Sequence, residues 1–236
     1  IAPGYLGDFV IIDNFNDFNI EMVFKRGELM YDGQLRDFPT PEIDPYLVKR
    51  AHDTFHLTKL TAEDFKDGRP HAIIGLVPGE IISEDAGYID HIDVEYDILK
   101  VAVIERHKNT HHIGLGYIKG YGLKSGAVAT SISHDSHNII VVGTNEEEMA
   151  AAANRIVENH GGITVMENGN VLGEVTLAIA GIMSDDPLVM VNSALESAKD
   201  EAFRLGVSRD IDPFMTLSFM ALPVIPTLRI TTRGVF

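Results

Sequence analysis

Three prolines fall within seven residues, at Pro39, Pro41 and Pro45, and no other stretch limits the fold so strongly. Each fixes its own φ and lacks a backbone N–H, so neither a helix interior nor a central strand can run through them. The chain is therefore expected to break there, into a part covering residues 1–38 and a part covering 39–236. Before the break, residues 7–13 and 19–25 read as strands, with Val10 to Ile12 buried in the first and Met22, Val23 and Phe24 buried in the second. Arg26-Gly27-Glu28 is a turn and Leu29-Met30-Tyr31 a return strand. So few strands need a partner elsewhere to be stable.

After the break the pattern changes. Tyr46 to Leu57 reads as a short helix followed by extended chain, and Thr61 caps one helical turn. Ala72–Val77, Asp97–Arg106, Ala127–Ser133 and Ile139–Val142 are strand-like. Residues 111–130 are dense in glycine, which fits either a bent strand whose backbone approaches another segment closely or a set of loops. No Gly-x-x-x-x-Gly-Lys-Ser/Thr occurs, and Gly114-Leu115-Gly116 lacks the third glycine of a dinucleotide fingerprint. Thr144 to Glu147 has the form of a capping box that opens a helix, with Met149, Ala153, Ile156 and His160 on one stripe and Gly161-Gly162 at its end. A hairpin turning at Asn168-Gly169 follows. A second helix is expected with Asp186 as N-cap, Pro187 at its first position, Gly206 after its end, and a stripe running from Leu188 through Val191, Leu195, Ala198 and Ala202 to Leu205. Phe214 to Ile230, punctuated by Pro223 and Pro226, is expected to be extended. Strands, hairpins and helices in this order indicate an α+β fold: a small β unit followed by a mixed α+β domain.

Composition narrows the chemistry. Lys plus Arg is 19 against 35 for Asp plus Glu, a net charge of −16, which repels a phosphate backbone and excludes nucleic-acid polymers as partners. No apolar run reaches the roughly 18 residues that cross a bilayer. Cysteine is absent, which removes disulfides, thiolate metal sites and the His/Cys/Cys zinc deaminase signature together. His-x-His, His-Glu-x-x-His and Gly-x-Ser-x-Gly are also absent. Ten histidines are present. His134 and His137, with Asp135 and Asn138, form a polar knot between two apolar strands, where loops on a rigid scaffold present side chains to a cleft. Imidazoles beside a carboxylate can ligate a metal or exchange protons near neutral pH. Alternatively, these side chains satisfy turn backbone groups, with Asn138 supplying left-handed geometry. His111 and His112 are adjacent and point to opposite faces of a strand, and His52 and His56 share a face only if their segment is helical.

The run Ser133-His134-Asp135-Ser136-His137-Asn138-Ile139-Ile140-Val141-Val142-Gly143-Thr144-Asn145 resembles the C-terminal region of the adenine deaminase family. So do Ile179 to Ser184 and Pro213 to Phe219 through Ala221 to Pro226. The opening Ile1-Ala2-Pro3-Gly4 and Asp8 to Asp13 looks like the point where amidohydrolase-superfamily chains leave their barrel for a small β-sandwich. The resemblance covers essentially the whole chain. It implies metal-dependent hydrolysis of adenine to hypoxanthine and ammonia, with manganese or iron generating hydroxide on a barrel not present in this sequence. No metal ligand can be matched here, so the isolated chain is expected to bind no cofactor and to be inactive. His134, Asp135, His137 and Asn138 are expected to face the pocket. Further expectations are the remainder of the deaminase chain as partner, homo-oligomerisation and a cytoplasmic location. The competing reading is a non-catalytic accessory or oligomerisation domain in which the knot is structural.

Overall fold

The computed structural model describes residues 2–37 and 41–236. It divides into two compact units, Ile1–Asp44 and Pro45–Phe236. The break expected between residues 38 and 39 lies outside the described residues.

In the first unit β1 (Phe9–Ile12), β2 (Ile20–Lys25) and β3 (Glu28–Tyr31) form an antiparallel sheet in that order. Phe9 and Phe24 stack across β1 and β2 with ring centroids 4.6 Å apart. The burial expected from the sequence is not found: Val10 is 50% exposed, Ile11 38% and Met22 38%, while Val23 and Phe24 are half-buried. The physical reason is that the unit has no second layer among its described residues, and a lone three-stranded sheet cannot cover its own faces.

The second unit is built on a mixed eight-stranded sheet. Its strands are β4 (His71–Leu76), β5 (Ser83–Ile89), β6 (Ile98–Ile104), β7 (Ile113–Lys119), β8 (Ala127–Thr130), β9 (Ile139–Gly143), β10 (Gly162–Glu167) and β11 (Asn170–Thr176). They lie in the order β11-β10-β8-β9-β6-β7-β4-β5, antiparallel except for the β4–β7 pair. Helices cover both faces, α2 (Glu146–Glu158) on one and α3 (Leu188–Arg204) and α4 (Pro213–Met220) on the other, with α1 (Pro45–His52) preceding the sheet. This explains why Ile139 to Val142 is continuously apolar. Ile140 and Val142 pack toward α3 and α4, whereas Ile139 and Val141 pack toward α2. The fold is α+β, as the order of elements implied.

Local details depart from the sequence reading in several places. Asn145 caps α2 in place of Thr144, accepting the N–H of Glu148, and His160 lies exposed beyond the helix end with φ +55°. At α3 the helix begins one residue late, because Asp186 turns back to Ser184 instead of capping. The first part of its expected stripe faces solvent, with Leu188 82% exposed. The segment from Phe214, expected to be extended, is helical up to Met220. Asp212 Oδ1 accepts the N–H groups of Phe214 and Met215, Pro213 occupies the first turn, and Phe214, Leu217 and Met220 are buried at helical spacing. Strand β5 gave no apolar signal because it is a polar edge strand, where charged side chains deter pairing with another chain.

Candidate functional site at one end of the sheet

Register brings the site together. Ile104 pairs with Ile139 and Thr130 with Ile140, so β6 and β8 finish at the end of the sheet where β9 begins. Ile163 pairs with Thr130 and Gly162 with Thr176, which places the start of β10 and the exit of β11 at the same end. The loops 131–138 and 177–187, and the segment from Glu105 onward, therefore meet. Ser131 fastens two of them: its Oγ donates to the Gly181 carbonyl at 2.5 Å and accepts the Gly162 N–H at 2.8 Å.

Arg106, 1% exposed, sits at the centre of this junction. Its Nε donates to the His137 carbonyl at 2.5 Å, one Nη to the Thr54 carbonyl at 2.8 Å and to Thr54 Oγ1 at 3.1 Å, and the other Nη to the Ala180 carbonyl at 2.9 Å. The guanidinium lies 4.2 Å from the Phe55 ring centroid. Burial pulls its pKa down to about 10, with Glu105 opposing. Glu105 in turn accepts the N–H groups of His107, Lys108 and Thr110, holding the loop that follows. His107 Nε2 lies 2.8 Å from the Ser136 carbonyl and thus acts as the donor there.

The knot itself is divided. Asp135 is exposed and Asn138 buried, and both line a cleft. His134 and His137 are half-buried with ring centroids 6.1 Å apart, and His134 packs on Phe219 of α4 at 5.3 Å. His137, not Asn138, takes the left-handed backbone, at φ +48°, which is uncommon for a non-glycine residue and concentrates at functional sites. Its N–H donates to the Ser133 carbonyl and that of His134 to the Ser218 carbonyl. Burial, the neighbouring His134 and the Arg106 charge together hold the His137 imidazole below its ordinary pKa, against the pull of Asp135. Nδ1 of His137, Oγ of Ser133 and Oγ of Ser218 are all buried with no hydrogen-bond partner among the described residues.

The cleft, about 690 Å³, has Asp135, Ser136 and Asn138 on one side, the turn from Ala221 to Val224 on another, and the hairpin of β12 (Ile230–Thr231) and β13 (Gly234–Val235) on the third. That hairpin lies against β7 because Gly114 and Gly116 have no side chains. A Cβ on Gly114 would stand 1.8 Å from the Thr231 carbonyl oxygen and 2.4 Å from the Gly234 nitrogen. Of the glycine-dense run, Gly114 and Gly116 lie in β7, a strand whose backbone is closely approached, whereas Gly120, Gly122 and Gly126 lie in the connection to β8 with positive φ, so each of the two alternatives its sequence allowed holds for part of it.

Among the described residues no group of three or more His, Cys, Asp or Glu side chains is arranged to hold a metal ion. The knot does not supply a ligand set, and a metal does not fit the residues present. His111 Nδ1 lies 3.3 Å from Thr58 Oγ1, with His111 and His112 both exposed before β7. Helix α1 ends at His52, so His56 does not share its face. Sequence reasoning missed Arg106 and Ser131. The only sign of Arg106 was a charged triplet, Glu105-Arg106-His107, directly after an apolar strand.

Residues 80–236 match the family model described as the adenine deaminase C-terminal domain. The chain belongs to this family. Similarity extends beyond the matched region. The chain is 40% identical over 247 aligned residues to the adenine deaminase of Petrotoga mobilis, covering 100% of this chain and 43% of that protein. It is 41% identical to adenine deaminase 1 of Rhizobium johnstonii and 38% identical to adenine deaminase 2 of Carboxydothermus hydrogenoformans, covering 99% of this chain and 42% of each relative. The chain therefore spans just over two fifths of the length of these relatives. No helix among the described residues is long and apolar enough to cross a membrane.

Proposed function

We propose that this chain is the C-terminal part of an adenine deaminase, and that the complete polypeptide hydrolyses adenine to hypoxanthine and ammonia. The observation that carries this reading is similarity along the whole chain to proteins named adenine deaminase, within a family named for the C-terminal domain of that enzyme. In this reading the β1–β3 unit, residues 1–38 of the sequence reading, completes a β-sandwich with a part outside this sequence. The divalent metal, manganese or iron, is held by a barrel that also lies outside it.

The role left to this chain is to present the His134–Asn138 knot to the purine. A purine offers ring nitrogens that accept hydrogen bonds and N–H groups that donate them. The Asp135 carboxylate can accept, and the Asn138 amide can donate, because its Oδ1 is already turned toward the Arg106 N–H at 3.4 Å. Leu222, Pro223 and Val224 supply an apolar wall for the flat ring. The lowered pKa of His137 favours its neutral ring, the form that can accept a proton as a general base. The enzyme is further proposed to be cytoplasmic, to serve purine salvage and to self-associate. The exposed start of α3, with Leu188 82% and Val189 80% exposed, favours the alternative accessory or oligomerisation role, and the two readings separate at the knot. Metal analysis by plasma spectrometry tests the division of labour. The purified chain is expected to hold no stoichiometric manganese or iron while the complete polypeptide holds one or two ions; a tightly held stoichiometric metal in the chain alone contradicts it.

A further inference from the structure

Arg106 is a cation buried with no carboxylate partner among the described residues; every acceptor of its side chain is a carbonyl or a hydroxyl. Taking a charge out of water without a counter-ion is costly, and an apolar side chain would fill the space at less expense. What an apolar residue cannot do is bond several loops at once. The guanidinium is a rigid planar fork whose donors point in fixed directions, and here they reach the segment after α1, the knot and the 177–187 loop together. The Arg106 backbone takes part as well, its carbonyl accepting the His56 N–H at 2.7 Å. His137 has left-handed backbone, and Arg106 bonds that same residue's carbonyl, so the strained conformation is held from outside.

We infer that Arg106 is a positioning residue, which fixes through the His137 carbonyl where the side chains of the His134–Asn138 knot stand. The inference rests on the reading of the knot as part of the deaminase substrate site. The charged and titratable groups that face His137 are His134 and Asp135 within the knot and Arg106 and His107 from the segment after β6. The Ser218 and Phe219 groups of α4 that meet the knot do not titrate near neutrality.

Two substitutions separate geometry from charge. Arg106→Lys keeps the cation but replaces the fork by a single point donor, and Arg106→Met removes both. In the complete polypeptide each is expected to lower kcat for adenine by about tenfold or more through misplacement of the knot. In this chain, imidazole titration followed by two-dimensional NMR is expected to move His137 to higher pH in Arg106→Met, because a neighbouring positive charge is gone. The same titration in Arg106→Lys is expected to stay near its parent value. A general loss of stability would not produce that difference between the two variants. Unchanged kcat in a folded Arg106→Lys protein, or an unmoved His137 titration in Arg106→Met, overturns the inference. If Arg106→Met does not fold, kcat of Arg106→Lys and the protection of its His137 N–H against exchange decide the matter. Should substitutions in the knot itself leave turnover intact, the reading of the knot fails, and the protection of the His137 N–H against exchange in Arg106→Lys still decides the positioning role on its own: it is expected to weaken when the fork is lost, and unchanged protection overturns the inference.

Discussion

Replacing His134 and His137 together by asparagine in the complete polypeptide is expected to lower adenine turnover about a hundredfold, equivalent to about 2.7 kcal/mol in the barrier. Asparagine keeps a polar, hydrogen-bonding side chain of smaller size but cannot exchange a proton near neutral pH. Both imidazoles are half-buried at the surface of the second unit and neither helps form the main apolar core. The thermal midpoint is therefore expected to shift by only a few degrees, as for a change of about 1 kcal/mol. Steady-state kinetics beside a melting curve gives the check. Intact turnover with an unchanged midpoint would favour the accessory reading, in which the knot only closes a loop. The pH dependence carries a further sign. The pKa of His137 is depressed, so its neutral form persists to lower pH than that of an ordinary histidine. Activity that depends on the neutral ring is expected to hold through neutrality and to fall on the acid side.

Gly114→Ala is expected to destabilise the chain by about 3 kcal/mol, the upper end of what a single inserted methyl costs in a packed interior. The added Cβ meets the Thr231 carbonyl and the Gly234 nitrogen, which are backbone atoms of the β12–β13 hairpin and cannot rotate away. The hairpin must move off β7, and with it one wall of the cleft. Gly116 provides the internal comparison. Its added Cβ would meet chiefly Cγ2 of Val235 at 2.4 Å, a side-chain methyl with more freedom to move, so Gly116→Ala is expected to cost less. Urea unfolding of the two variants against the parent measures both. Equal midpoints for Gly114→Ala and the parent would show that the hairpin does not rest on β7 as described.

The central strands and the two long helices of the larger unit were legible because their signals are local. Ile139 to Val142 is apolar on both faces, Asn168-Gly169 has the positive φ values a tight hairpin requires, and the acidic start of α2 matches its dipole. What could not be read depended on distant partners. Asp212 makes Phe214 to Met220 a helix, but prolines further along suggested extended chain. The end of β6 gives no hint that Arg106 will meet Thr54, His137 and Ala180, since those contacts exist only once the register of β6, β9 and β8 is set. At the knot the residue types were legible and the geometry was not. Asn138 was the natural candidate for left-handed backbone, yet His137 takes it because Arg106 and Ser133 hold that residue on either side.

The most direct measurement is hypoxanthine formation from adenine, followed side by side for the complete polypeptide and for this 236-residue chain in the same manganese-containing buffer. The complete polypeptide is expected to convert adenine steadily with release of ammonia, and the chain alone to convert none. A complete polypeptide that leaves adenine untouched, or a chain that deaminates it unaided, would contradict the account.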